Sequence, residues 1–306
     1  MYKIITLFII LFIILKKDHR TSKEILIISV EYVRKKFIFT FWEPKGNIPG
    51  YLRLCIKTWK KFLSDFEVII LDYETVKEYL GEVQYSKILF KNMPIAVQSD
   101  AIRIAILNKY GGIWIDTDTI ILNNELLTKF NNYELAMIRE GNTNYHYIGF
   151  IYALKNSTII REWLKQIIQR VEIYKYIYAN KTDIKISKYF YKSYKSLRYL
   201  GNEIINKLLK NITGNQFFSL KNLELNALPE RSVYKNPLNL SYRQRYIEFY
   251  FKKRNPEIIL NNSKEIILFH NSWTPIEYKK MTEKEFLKQD ILMSSLIKKV
   301  LNIKTQ

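Results

Sequence analysis

Apolar residues in this chain alternate between short continuous runs and longer stretches of helical spacing. Residues 37–41 (FIFTF) predict a first buried strand; Trp42 follows, and Glu43-Pro44-Lys45-Gly46-Asn47 is a loop by composition. Leu52, Cys55, Ile56 and Trp59 recur at helical spacing over residues 51–62. Residues 66–71 (FEVIIL) predict a second strand ended by Asp72, with a short helix over 75–80. The next helix covers 94–110. Pro94 sits in its first turn, Gly111 can supply the left-handed cap, and Gly112 frees the turn that follows. One strand is expected over 114–121, until Asn123-Asn124 breaks it. Further strands are expected over 135–138, 148–154 and 265–270. A long helix over 156–178 has Ile159, Trp163, Ile167 and Val171 on one face. Leu200-Gly201-Asn202-Glu203 opens a short helix to about 209, and a lysine-rich amphipathic helix over 281–302 closes the chain. Residues 179–199 have no clean period, and 217–255 mix short apolar runs with basic ones.

The strand–helix rhythm predicts an α/β fold, a mostly parallel sheet with covering helices. With no internal repeat and no flexible linker, residues 30–306 read as one catalytic domain. Its strand-rich core is expected over about 37–155, and a mainly helical part over about 156–306. Ahead of it, residues 4–15 read IITLFIILFIIL and are followed by Lys16, Lys17, His19 and Arg20. The run is shorter than the ~20 residues that cross a bilayer. Only Lys3 precedes it, and no small-residue cleavage site follows. Three readings stand: an uncleaved membrane anchor, a helix lying on lipid, or a start site placed too far upstream. The basic residues suit an anionic leaflet, and a segment packed on the core is the plainer alternative.

Lysine and arginine number 49 against 29 acids, a formal charge of +20, which favours phosphate-rich or otherwise anionic partners. No helix-turn-helix, zinc-finger or RNA-recognition pattern accompanies that charge. The expected partners are therefore an anionic membrane surface or an anionic acceptor, not nucleic acid. The 23 Tyr and 17 Phe would suit sugar stacking, but an AT-biased genome accounts for them equally. Cys55 is the lone cysteine, which excludes an intrachain disulfide and fits a reducing setting, the cytoplasm at the inner face of the membrane.

The chemistry concentrates in SDAIRIAILNKYGGIWIDTD, residues 99–118. On a continuous strand Asp116 and Asp118 would point the same way. Two carboxylates at one spot repel unless a cation lies between them. A hard divalent ion, Mg2+ or Mn2+, is the natural resident, working with the phosphates of a nucleoside diphosphate. Asp100 and Arg103 are three apart on a helix and meet; taken alone they read as a surface ion pair of small worth. Trp42, at the carboxyl end of a first parallel strand, is placed either to stack on a nucleobase or to close the sheet end.

Phe39-Thr-Phe-Trp42, Ser99-Asp100-Ala-Ile-Arg103 and Tyr110-Gly-Gly-Ile-Trp-Ile-Asp116-Thr-Asp118 together resemble the sugar-binding region with the DXD motif. This region occurs in the capsular polysaccharide synthesis and Och1-like (GT32-type) glycosyltransferases, related to the clostridial glucosylating toxins. The likeness covers residues 37–124 and, more thinly, 270–273. It implies a GT-A fold, a Rossmann-like mixed sheet binding a UDP- or GDP-sugar with Mn2+ or Mg2+, and retaining transfer to a glycan or lipid-linked acceptor in surface polysaccharide synthesis. By the same resemblance Trp42 would stack on the base, and Asp100 and Arg103 would hold donor sugar and phosphate beside Gly111 and Gly112. Asp116 would face ribose and sugar, and Asp118 would bind the metal with Asp116. His270 would be a further metal or diphosphate ligand, and Ser272 and Trp273 would close over the leaving phosphate. The plainer reading of His270 is a packed strand-end histidine. Thr213-Gly214-Asn215 departs from the family's Thr-Gly-Pro. Two rivals stand beside an enzyme of this kind: a silent sugar-binding protein of the same fold, and a metal-dependent phosphotransferase or nuclease.

Overall fold

The alternation of apolar runs produces a sheet buried on both faces. A computed structural model describes residues 36–125, 130, 133–140, 146–180, 199–212, 216–222, 240–261 and 265–304. Residues 4–15, Thr213-Gly214-Asn215 and most of 179–199 lie outside the described residues. The six-stranded sheet runs β2-β1-β3-β6-β5-β7, from β1 (Lys36–Phe41), β2 (Phe66–Leu71), β3 (Gly112–Ile115), β5 (Leu135–Glu140), β6 (His146–Ala153) and β7 (Phe217–Asn222). β1 pairs with β3 in parallel, as β5 does with β7. β6 is antiparallel to both of its neighbours, so the sheet is mixed. A separate two-stranded ribbon pairs β4 (Thr119–Ile121) with β8 (Ile266–Leu268), antiparallel.

Side chains of successive strand residues go to opposite faces. Ile38, Ile113, Ile115, Ala136 and Ile138 join one core; Phe39, Phe41, Trp114, Leu135 and Met137 join the other. The first face is covered by α1 (Gly50–Phe62), the ribbon, α7 (Tyr242–Tyr250) and the carboxyl-terminal helices. The second is covered by α2 (Tyr73–Leu80), α3 (Glu82–Ile88), α4 (Ile95–Tyr110), α5 (Thr158–Ala179) and α6 (Asn202–Leu208). α1 is keyed to the ribbon: Trp59 Nε1 donates to Thr119 O at 2.7 Å, and Ile121 N to Thr58 Oγ1 at 3.0 Å. Cys55 is a buried core thiol. α4 is buried almost all round, from Val97 to Leu107, as a helix enclosed between sheet and neighbouring helices must be.

Three expectations change. The strand over 114–121 is two strands in two sheets. α3 was not visible as a separate helix. The closing helix over 281–302 is broken into α10 (Glu283–Leu287) and α11 (Leu292–Leu301), preceded by α8 (Glu257–Leu260) and α9 (Ile276–Lys279). Thr282 and Glu285 form a capping box that starts α10, and Leu292 N donates to Lys252 O at 2.8 Å, which resets the chain for α11. No helix among the described residues is long and apolar enough to cross a membrane.

One anchor of the second layer titrates. Glu134, ahead of β5, accepts at Oε1 from Ser157 Oγ (2.8 Å), Thr158 Oγ1 (2.7 Å) and Ile159 N (3.0 Å), the first turn of α5. Burial alone would raise this carboxyl, but those donors outweigh it and hold it below its usual range. A lowered carboxyl stabilises the fold above its ordinary titration range, and the gain disappears as pH falls through the lowered value. Glu134→Ala is expected to cost about 1–2 kcal/mol at neutral pH, allowing for partial exposure. In urea denaturation at several pH values, the gap to wild type should close in acid; a gap independent of pH would count against this anchor.

Candidate active site

Three separated stretches of sequence meet at the carboxyl end of β3. The backbone turns there, with Thr119 N donating to Asp116 O at 3.1 Å, because the following residues must leave the large sheet to pair with β8. Asp116 and Asp118 therefore sit on a turn between two sheets, not on one strand. Antiparallel pairing sets the start of β6 beside this turn, with Ile115 opposite Phe150 and Asp116 N donating to Gly149 O at 2.7 Å.

Arg103, on α4, reaches the turn from below. Its Nη2 lies 3.0 Å from Asp100 Oδ1 and 3.5 Å from Asp116 Oδ1; its Nη1 donates to Ile148 O; its guanidinium carbon lies 5.2 Å from the Trp114 ring centroid. Trp114 Nε1 donates to Asp116 Oδ1 at 2.8 Å. Asp100 and Arg103 are each 4% exposed, so the surface ion pair of the sequence reading is a buried one. Burial pushes the Asp100 carboxyl up to about 7; Arg103 opposes the rise and Asp116 adds to it.

Asp118 belongs to the opposite side of the turn. Its main-chain oxygen accepts from Phe269 N at 2.7 Å, and its Oδ2 from Asn271 N at 2.8 Å. Tyr51 Oη in turn donates to Asn271 Oδ1 at 2.6 Å. Burial, then the charge of Asp116, raise the Asp118 carboxyl to about 7, against the Asn271 amide and Arg103. The pairing of β4 with β8 is what carries the residues after Leu268 to Asp118.

His270 stacks on Trp273 with centroids 3.8 Å apart, and its backbone N donates to Tyr246 Oη at 3.1 Å. Burial lowers the pKa of its imidazole. Ser272 is exposed, and Trp273 is half-buried against Tyr246. Trp42 is half-buried at the carboxyl end of β1, on the same sheet edge as Asp116, with its N donating to Leu71 O at 2.9 Å. Gly111 and Gly112 lie at the other end of β3. Their φ values are +67° and +100°, and a Cβ would meet Lys155 N or Phe37 O at 2.5 and 2.6 Å. The structure thus gives them the turn into β3 and places them away from the acidic end.

Several residues here were not singled out from the sequence. Tyr147 Oη is 3.5 Å from Asp116 Oδ2, and burial and then Asp116 push its phenol well up. A Cβ on Gly149 would lie 2.5 Å from Asp116 Oδ2, and one on Gly201 the same distance from Asp100 Oδ2. A glycine inside a strand pattern, as at Gly149, is a signal of close backbone approach. Tyr51 and Asn271 had no such signal.

The acidic pair suits a hard divalent ion: its donors are oxygens, and the two partly exposed carboxylates share one turn. Among the described residues no group of three or more His, Cys, Asp and Glu is gathered for a metal, so Asp116, Asp118 and His270 do not make a three-ligand set. An ion that keeps waters and substrate phosphates in its shell needs only one or two protein carboxylates.

Removing one member of a buried ion pair strands the other. Arg103→Met should destabilise by about 3–5 kcal/mol, and adding Asp100→Asn should recover part of that loss in urea denaturation. A double variant no more stable than Arg103→Met alone would count against the pairing.

Among curated proteins none matches the sequence. Solved structures similar to this chain include the PaToxG glycosyltransferase, at 19% identity over 57% of this chain and 68% of that one, TM-score 0.37. A glycosyltransferase involved in glycosylating the major capsid of PBCV-1 is similar at 13% identity over 81% and 98%, TM-score 0.41. The glycosyltransferase GlyE of Streptococcus pneumoniae TIGR4 is similar at 13% identity over 83% and 63%, TM-score 0.39. The family described as capsular polysaccharide synthesis protein matches residues 12–236, well over half of the sequence, and this chain belongs to that family.

Proposed function

We propose that this protein is a metal-dependent glycosyltransferase of the GT-A kind, moving a sugar from a UDP- or GDP-sugar to a glycan or lipid-linked acceptor in surface polysaccharide synthesis. One observation carries the reading. Two carboxylates, Asp116 and Asp118, share a turn at the carboxyl edge of the sheet with the Arg103 guanidinium set behind them. Family membership supports a role in polysaccharide synthesis.

Asp118 and Asp116 would hold Mn2+ or Mg2+. The ion, when bound, supplies Lewis-acid neutralisation of the leaving diphosphate. Trp42, on the same edge, is available to stack on the base. Arg103 adds fixed positive charge behind Asp116 in a poorly solvated setting, where preorganised charge is worth most and needs no reorganisation during reaction. It also orients Asp116, together with Trp114 Nε1. Asp100 keeps Arg103 in place. His270, Ser272 and Trp273 lie on the segment that Asp118 anchors, and would close over the leaving phosphate.

Transfer on the face from which the diphosphate departs needs no strongly basic protein nucleophile; the departing phosphate can take the acceptor's proton. The product should therefore keep the donor's anomeric configuration. NMR of the isolated product tests this, and an inverted linkage would refute it.

Donor binding in the presence of Mn2+ should raise the melting temperature, since a ligand at ~100 times its Kd adds about 2.7 kcal/mol. In a screen of UDP- and GDP-sugars with Mn2+ or chelator, Asp118→Ala should lose that shift along with turnover. A variant with an undiminished metal response would sink the role given to Asp118.

A further inference from the structure

A basic cleft opens at the start of α1. It has a volume of about 560 Å³ and lies between the short 3-10 turn Lys45–Asn47 with the start of α1 and the segment joining α9 to α10. That volume falls within the ~300–1,000 Å³ of small-ligand sites. Arg53, Lys279, Lys280 and Lys284 line it, and Glu283 is the one acid of the lining. Glu283 is already paired with Lys57. Lys279, Lys280 and Lys284 form no ion pair among the described residues. The cleft therefore presents a cationic surface whose local counter-charge is already engaged.

We infer that this cleft binds an anionic group of the acceptor, a carboxylate or phosphate carried on a glycan. The inference rests on the glycosyltransferase reading and specifies its acceptor side.

The walls are held in fixed relation. Arg53 donates from Nε to Ile48 O and from Nη2 to Gly46 O, each at 3.0 Å, so its guanidinium is fastened to the loop forming one wall. Gly50, at the start of α1, lies so close to the opposite wall that a Cβ would meet Glu283 N at 2.5 Å and Met281 O at 2.6 Å. A site with pre-set walls binds without first having to order them. The cleft is also joined to the acidic turn. Tyr51, the residue after Gly50, donates to Asn271, whose amide donates to Asp118. An acidic acceptor held here would present a neighbouring hydroxyl toward the donor. A fixed anion site gives orientation as well as attraction, and orientation is what a bimolecular transfer needs.

The test measures binding without donor, by calorimetry, using a hyaluronan hexasaccharide as the carboxylate probe, mannose 6-phosphate as the phosphate probe, and maltohexaose as the neutral control. Wild type should bind at least one acidic probe and not maltohexaose. Lys280→Glu/Lys284→Glu, two exposed positions, should weaken that binding at least tenfold, and Lys280→Gln/Lys284→Gln should weaken it less. The equal charge change Lys87→Glu/Lys165→Glu, at exposed lysines elsewhere, should leave it within twofold. The affinity for UDP with Mn2+ should stay unchanged throughout. Any of the following would overturn the inference: neither acidic probe binding to wild type, equal binding to the Lys280/Lys284 variants, or a parallel loss of UDP affinity, which would give the cleft to the donor's phosphates. Loss of binding to phosphatidylglycerol vesicles with oligosaccharide binding intact would overturn it in favour of a membrane contact. Failure of the donor reading shows separately, as absence of any UDP or UDP-sugar response in wild type.

Discussion

The buried guanidinium of Arg103 fixes the geometry on which the site depends. A full charge placed inside a protein is costly unless an opposite charge is near and its donors are engaged; both Nη groups of Arg103 are engaged, while its Nε has no hydrogen-bond partner among the described residues. Asp100 supplies the charge from one turn away on α4, and Ile148 O takes up the second Nη. The same Nη2 is shared with Asp116, and the Trp114 ring lies against the guanidinium. One side chain thus ties a helix of the second layer to the end of β3 and the start of β6. The glycines at 149 and 201 are the steric counterpart, since each leaves the room that one carboxylate occupies. Gly201 is itself held by α5, where Trp163 Nε1 donates to Leu200 O at 2.9 Å.

Asp118 is positioned by a different logic. The carboxyl-terminal part of the chain holds it, through a ribbon outside the main sheet. β8 pairs with β4, Phe269 and Asn271 then bond Asp118, and Tyr51 on α1 braces Asn271. Asp116 is consequently part of the sheet-and-α4 side, and Asp118 part of the α1-and-terminal side. A ligand bridging the two carboxylates would couple both layers of the fold. Such coupling would let a ligand bound there stabilise the whole protein, by the mass-action linkage that ties binding to folding.

Electrostatics divides the surroundings in the same way. The acidic turn is an island in a chain of formal charge +20. Burial and the charge of Asp116 raise the carboxyls of Asp100 and Asp118, and Arg103 opposes the rise. Across the Tyr51–Asn271 link lies a surface of the opposite sign, in which the single acid is already engaged. The proposed transfer, from a cation-bound diphosphate donor to an anionic acceptor, would draw on both signs.

The sequence by itself determined most elements. The runs over 37–41 and 66–71 became β1 and β2, and helical spacing over 51–62, 94–110 and 156–178 became α1, α4 and α5, because local periodicity is a property of the residues that show it. It also held the linked positions of Asp100, Arg103, Asp116 and Asp118, which lie within one short stretch. It did not contain the end of β3. A strand that changes sheets looks continuous in hydropathy, and only pairing with β8 from far along the chain makes it turn at Asp116. For the same reason Asp100 and Arg103 read as a surface pair: three-residue spacing says that side chains meet, and not what covers them. Tyr51, Tyr147 and Asn271 became neighbours of the two carboxylates, and Gly111 and Gly112 were separated from them, through contacts distant in sequence. Burial and long-range pairing are properties of the packed whole, and tertiary structure alone decided them.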